Sequence, residues 1–317
     1  MKIMSLLAAL VLSANAAAQS WPQKPVKFIV PFPPGGATDI SARLLGEKLT
    51  QIWAQTVVIE NRGGAGGAVG AAEAARAAPD GYTLFFPSGS VMTANQHIYA
   101  KLGYDPEKDF VPITNVVSGP QVLAVPAGSP FKSVQNLIDA ARADPGKLTF
   151  GHAGIGSQTH LAAENFLNTA KIDALAIPYK GEGPALGGLA SGETSFTVTN
   201  LAATLPHIQS GRVRALGVTS KSEVPQLPGV PPIGRTLAGF ENEGWFGIVA
   251  PTGTPKEIVR KVYEDTRKAL EASDLRGRLY VQGLSPVGNS PEEFAKAIKA
   301  ESRLWAKVVK ERKIEVK

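Results

Sequence analysis

Apolar residues fall in short runs, separated by longer stretches with helical spacing. Val26 to Val30 reads as a strand, followed by a loop over 31–37 and a helix over about 38–53. In that helix Ile40, Leu44, Leu49 and Ile52 make a stripe close to the helical period. Thr56 to Glu60 reads as a second strand. Asn61 to Gly70 is glycine-rich, Ala71 to Ala78 is a short alanine-rich helix ended by Pro79-Asp80-Gly81, and Tyr82 to Phe86 is a further strand. Such alternation predicts an α/β fold with mainly parallel sheets. Two later helices are marked by their starts. Thr254-Pro255-Lys256-Glu257 and Ser290-Pro291-Glu292-Glu293 each place a hydroxyl at the N-cap, proline at N1 and glutamate at N3.

Two apolar stretches are placed to cross between lobes. One is Gln121 to Val125, after an expected turn at Ser118-Gly119-Pro120; the other is the proline-rich region 220–250, ending in Trp245 to Val249. On that basis the first lobe comprises 19–120 and 225–285, the second 121–224, and 286–317 is a C-terminal helix not assigned to either. A chain of about 300 residues tends to divide in this way, and the cleft between two lobes is a common place for small ligands.

Composition adds an address. Lys2, the apolar run Ile3 to Leu12 and the small residues up to Ala16-Ala17-Ala18 have the three parts of an export signal. Residues 1–18 are therefore expected to be removed, leaving a periplasmic protein. The chain has no cysteine, which excludes disulfides, zinc–thiolate sites, thiol nucleophiles and a lipid anchor on cysteine. The net charge of +6 is scattered, and its densest cluster, Lys307 to Lys313, has no interleaved aromatics of the kind a nucleic-acid site wants.

The candidate chemistry lies in loops that leave strands. PFPPGGATD (31–39) holds three prolines and two glycines between a strand and a helix. Free N–H groups and the helix dipole at such a junction suit an anion, although a tight αβ turn needs the same residues. GHAGIGS (151–157) repeats the design before a helix that starts at Gln158 and carries His160 in its first turn. Pro87-Ser88-Gly89-Ser90 offers two hydroxyls, and Tyr179-Lys180-Gly181-Glu182-Gly183 follows another apolar run. Neither a dinucleotide fingerprint nor a P-loop nor a nucleophile elbow is present. Loops rich in donors and poor in nucleophiles favour binding over catalysis. No catalytic residue, metal or cofactor is expected.

These segments, taken in order, resemble the periplasmic solute-binding receptors of tripartite tricarboxylate transporters, the Bug family. The likeness runs through PFPPGGATD (31–39), ENRGGAGG (60–67), APDGYTL (78–84), YDPEKDF (104–110), GIGSQTH (154–160), PYKGEGPAL (178–186), PHIQSGRVRALGVTS (206–220), WFGIVAPTGTP (245–255) and PVG (286–288). It implies a two-lobed periplasmic-binding-protein-like fold of type II, with the ligand cleft between the lobes. It also implies a carboxylate ligand, held between the first glycine loop and the GIGSQTH loop, partly through ordered water. A monomer in transient contact with an inner-membrane transporter is expected, with no nucleic-acid partner.

The ligand-binding residues expected are Phe32, Pro34, Gly35, Gly36, Ala37 and Thr38 in the first loop, and Ser88 and Ser90 in the third. Ala153, Gly154, Gly156, Ser157 and His160 belong to the second, and Tyr179, Thr199 and Asn200 complete the set. A negative side chain at Ala37 is expected to compete with ligand while leaving the helix intact. The sequence departs from the family at Gly63, where proline is expected, and at Gly188 and Thr199, where aspartate is frequent. The missing acid at Thr199 argues against an amino-acid ligand. A dicarboxylate, an aromatic carboxylate and a hydroxy acid all stay open. A ligand sensor docking on a signalling ectodomain, or an exported hydrolase or lyase, are the other functions such a chain can serve.

Overall fold

A computed structural model describes residues 21–316; the export segment 1–18 lies outside them. The strands are β1 (Val26–Val30), β2 (Val57–Asn61), β3 (Thr83–Phe85), β4 (Phe110–Pro126), β5 (Thr149–His152), β6 (Leu175–Pro178), β7 (Thr197–Asn200), β8 (Val213–Val218), β9 (Glu243–Pro251) and β10 (Ser285–Pro286). β1 lies between β2 and β3, both parallel to it, and β5 and β6 are parallel. Antiparallel pairs join these: β3 with β9, and β4 with β9, β10, β7 and β8.

β4 organises the molecule. Phe110 to Pro120 pairs with β9, while Gln121 to Pro126 pairs with β7 and β8. One continuous strand thus leaves the first sheet and enters the second. The turn expected at Ser118-Gly119-Pro120 is absent, because those residues continue the strand. Proline, which has no N–H to give to a ladder, sits where the strand changes partners.

Each lobe buries its own core. Phe28, Leu45, Leu84, Ile248 and Val262 pack in one cluster beneath the helices Ala37–Trp53 and Lys256–Glu271. Leu123, Phe150, Phe166, Phe196 and Leu216 pack in another. Residues 225–242, expected in the first lobe, pack in the second: Ile233 and Phe240 join the Phe150 cluster, and Leu227 packs with Val122 and Leu201. Burial decides this segment, since its prolines give no periodicity to read. The helix Pro291–Arg312 touches both lobes. Phe294 and Ile298 pack with Ile29, Phe85 and Val249, while at its far end Arg312 Nε donates to Glu164 Oε2 at 2.8 Å.

The two expected caps differ. Ser290 Oγ accepts from Glu293 N–H at 3.2 Å and Glu293 Oε2 accepts from Ser290 N–H at 2.9 Å, a complete capping box. Thr254 does not cap the helix Lys256–Glu271; its hydroxyl donates to the Pro251 carbonyl at 2.8 Å instead. Among the described residues no helix is long and apolar enough to cross a membrane.

Candidate functional site

Two loop–helix junctions face each other between the lobes. On the first lobe β1 ends at Val30, and the chain reaches the helix Ala37–Trp53 through Pro31, Pro33, Pro34, Gly35 and Gly36. Asp39 holds this loop. Its Oδ2 accepts from Gly35 N–H at 3.0 Å, its Oδ1 accepts from Asn61 Nδ2 at 2.9 Å, and Arg43 neutralises it. On the second lobe β5 feeds residues 153–157, and Ser157 caps the helix Gln158–Ala170 by accepting from His160 N–H at 3.3 Å.

Between the junctions lies a cavity of about 20 Å³, room for roughly one water molecule. Phe32, Gly36, Thr38, Ser88, Ala153, Ser157 and Asn200 line it, all seven of them expected site residues. Gln158, Thr159 and Glu182 line it as well and were not expected. A groove of about 610 Å³ adjoins it, sharing Phe32 and Ala153, and Pro34, Gly154, Tyr179 and the exposed Lys180 lie along that groove. The cavity itself has no room for a carboxylate, and the larger groove lies beside it.

Other expected residues serve the site from behind. Ala37 contributes its N–H, but its methyl group is fully buried in the first-lobe core and does not face the cavity. Ser90 is buried with its Oγ 3.3 Å from Ser88 Oγ. Gly154 and Gly156 do not offer free N–H groups: they donate to His152 Nδ1 at 3.2 Å and His160 Nδ1 at 3.3 Å. His160 does not line this cavity. Its ring lies 4.3 Å from that of His152 and its Nε2 is 3.7 Å from Glu164 Oε1, away from the cavity. Burial pulls His152 down to about 4, and burial together with its neighbour pulls His160 down to about 3. Both are neutral, and each accepts the N–H bond that shapes the loop.

Aromatic residues divide similarly. Phe32 lines the cavity, whereas Trp245 packs edge-on against Phe294 at 5.0 Å and donates Nε1 to Glu301. Phe246 is in the core. The Tyr179 ring covers Gly188, where a Cβ would stand 2.2 Å from its hydroxyl oxygen. That contact bears on the departure at Gly188, since with Tyr179 placed as it is an aspartate there would collide with the ring. Gly63 packs against Pro33, with a Cβ position 3.1 Å from its Cδ.

Glu182 is one of the three lining residues that the sequence did not mark as part of the site. It begins the helix Glu182–Ser191 and is buried. Its Oε1 accepts from Thr199 Oγ1 at 2.6 Å, Asn200 N–H at 2.8 Å and Asn200 Nδ2 at 2.9 Å. Its Oε2 accepts from Ala37 N–H at 2.9 Å, across the cleft. A buried carboxylate thus stands beside Thr199 after all, bonded to its hydroxyl.

The backbones of the two lobes approach closely here. Tyr99 Oη donates to the Ile155 carbonyl of the opposite lobe at 2.6 Å, and within the first lobe Asn95 Nδ2 donates to the Gly66 carbonyl at 3.1 Å. Gly66 has φ +58, and a Cβ there would lie 2.0 Å from the Ile155 carbonyl oxygen. The ENRGGAGG segment is glycine-rich where it meets the opposite lobe. Among the described residues no group of three His, Asp or Glu side chains is placed to hold a metal ion.

Two α/β lobes joined by a crossing strand, with facing loop–helix junctions, define a periplasmic solute-binding protein. The chain belongs to the tripartite tricarboxylate transporter family receptors, whose family model matches residues 41–314. Protein BugT of Bordetella pertussis is 34% identical over 95% of this chain and 93% of its own length. An R. palustris protein solved with adipate has a TM-score of 0.90 and 35% identity, covering 93% of this chain and 99% of that one. MatC from Rhodopseudomonas palustris, solved with bound malate, has a TM-score of 0.86 and 32% identity over 91% and 100% of the two chains.

Proposed function

We propose that this protein is an exported receptor that captures a small carboxylate between its lobes and delivers it to a tripartite tricarboxylate-type membrane transporter. The observation that carries this reading is the convergence of two helix starts, Ala37–Trp53 and Gln158–Ala170, on one cavity lined from both lobes. N–H groups in a helix's first turn have no intrahelical acceptor, and the dipole there favours negative charge. Thr38, Gln158 and Thr159 occupy those positions and line the cavity. Adipate and malate in the related proteins supply the ligand class. Removal of residues 1–18 in the periplasm, the lobe division near Gln121 and near Asn242, a monomeric state and the lack of catalytic residues belong to the same proposal.

A thermal-shift screen with a carboxylate panel tests it. A ligand present at a hundred times its Kd stabilises the native state by about 2.7 kcal/mol, an upward shift that such an assay resolves. A panel spanning mono-, di- and tricarboxylates, hydroxy acids, aromatic acids and amino acids with no shift contradicts the carboxylate reading. Consumption of any binder with product formation contradicts the receptor reading.

A further inference from the structure

We infer that Glu182 determines specificity and that the cleft selects a carboxylate bearing an ammonium group, an amino acid, over the corresponding plain acid. The inference rests on the receptor proposal above and concerns the same cavity. Glu182 is 93% buried by its 7% exposure, and it forms part of the cavity wall. All the groups that hold it are neutral: the Thr199 hydroxyl, the Asn200 backbone and side-chain amides, and the Ala37 N–H. No Lys, Arg or His forms an ion pair with it among the described residues. Asp39 is the contrast. It is equally buried, but Arg43 pairs with it, so its charge is spent on the loop.

A fixed carboxylate without a counter-ion repels a second carboxylate placed beside it and attracts a cation. Glu182 also takes the Ala37 N–H, so that donor of the first helix is not open to a ligand carboxylate while the two are bonded. A second acceptor lines the same cavity. Gln158 is 8% exposed, and its buried Oε1 has no hydrogen-bond partner. Glu182 Oε1 accepts from three donors, but Oε2 accepts from only one and keeps a lone pair. Two residues of one cavity wall therefore keep acceptor capacity, the Glu182 carboxylate and the Gln158 amide oxygen. An ammonium group brings three donors and a positive charge to such a place. The ligand's own carboxylate is left for the start of the helix Gln158–Ala170, where the Gln158 and Thr159 N–H groups lie in the first turn. An acid whose only work is to join the lobes through Ala37 predicts a different outcome: its loss weakens every ligand alike.

Calorimetry on matched pairs separates the two: succinate and aspartate, glutarate and glutamate, 3-phenylpropionate and phenylalanine. In the wild type the amino member of at least one pair should bind at least tenfold tighter than its partner. In Glu182→Gln, with Glu182→Ala as the second variant, that ratio should fall at least tenfold. Tighter binding of the plain acid to the wild type overturns the inference while leaving the carboxylate receptor intact. So does a ratio that Glu182→Gln and Glu182→Ala leave unchanged, even if both affinities drop. Binding of no member by any of the three proteins counts against this inference, and the separate thermal-shift panel then shows whether the receptor proposal falls with it.

Discussion

Gly66→Ala should abolish full closure while leaving the open protein folded. Gly66 has φ +58, and the Cβ that alanine adds would stand 2.0 Å from the Ile155 carbonyl oxygen of the opposite lobe, where real Cβ atoms keep at least 3.0 Å. The obstacle is backbone, so no rotamer change relieves it, and the loops must separate by about 1 Å or more. Separation weakens the Tyr99–Ile155 bond of 2.6 Å, which crosses between the lobes, and leaves the Asn95–Gly66 bond within the first lobe intact. Such a bond contributes a net of about 0.5–1.5 kcal/mol, which the closed state loses relative to the open one. At 1.4 kcal/mol per decade that is about a two- to tenfold weaker ligand. Alanine in a left-handed conformation also costs roughly 1–2 kcal/mol, but the open and closed states share that cost, so it lowers the melting temperature and cancels in binding. Gly192→Ala is the control: φ is +81 there and a Cβ meets nothing within 4 Å. Both variants should melt a few degrees lower, and only Gly66→Ala should lose affinity in calorimetry with the best panel ligand. Equal affinities in the two variants would refute the closed contact between the GGAGG and GIGS segments.

Acid should destabilise the protein through His152 and His160. Their folded values, about 4 and about 3, lie below the unfolded 6.5, so the stability they confer is present above pH 6.5 and lost as pH falls through the folded values, at up to about 1.4 kcal/mol per pH unit for each. Urea titrations from pH 7 to 4.5 should show a shallower loss in His160→Gln, which keeps an acceptor for Gly156 but cannot ionise. Ala37→Asp should lower the melting temperature of the ligand-free protein by far more than the near-zero change its helix-start position suggests, because a core-facing carboxylate costs several kcal/mol; an unchanged melting temperature would place that methyl group outside the core. Ser290→Ala should cost about 1 kcal/mol in denaturant unfolding by breaking the capping box, and Thr254→Ala should not act through helix capping, since its hydroxyl bonds to Pro251.

What the sequence made legible was local. The strand–loop–helix order from Val26 to Trp53 follows from an apolar run, a loop of prolines and glycines and a helical stripe, and the structure places the helix at Ala37–Trp53. The Ser290 box is legible because both partners lie within four residues. The Thr254 cap failed because the same pattern lets the hydroxyl bond backward to Pro251. Ser118-Gly119-Pro120 reads as a turn until β9 and then β7 and β8 are seen beside it, which are pairings over a hundred residues away in part. Glu182 was hidden for a similar reason. Between Gly181 and Gly183 it looks like a solvated turn residue, and only the fold sets it against Thr199, Asn200 and Ala37. His160 reads in sequence as either a ligand partner or a local hydrogen bonder, and the fold sets its ring against the Gly156 N–H and His152.

A crystal structure with the tightest-binding carboxylate of the panel tests the central claim most directly. The ligand should lie between the lobes, against Phe32, Gly36, Ser88, Gln158, Glu182 and Asn200, with its carboxylate on first-turn N–H groups of a facing helix. A ligand seated elsewhere, such as the surface groove beside Asn165 and Trp305, or bound with no contact to either helix start, would contradict the account.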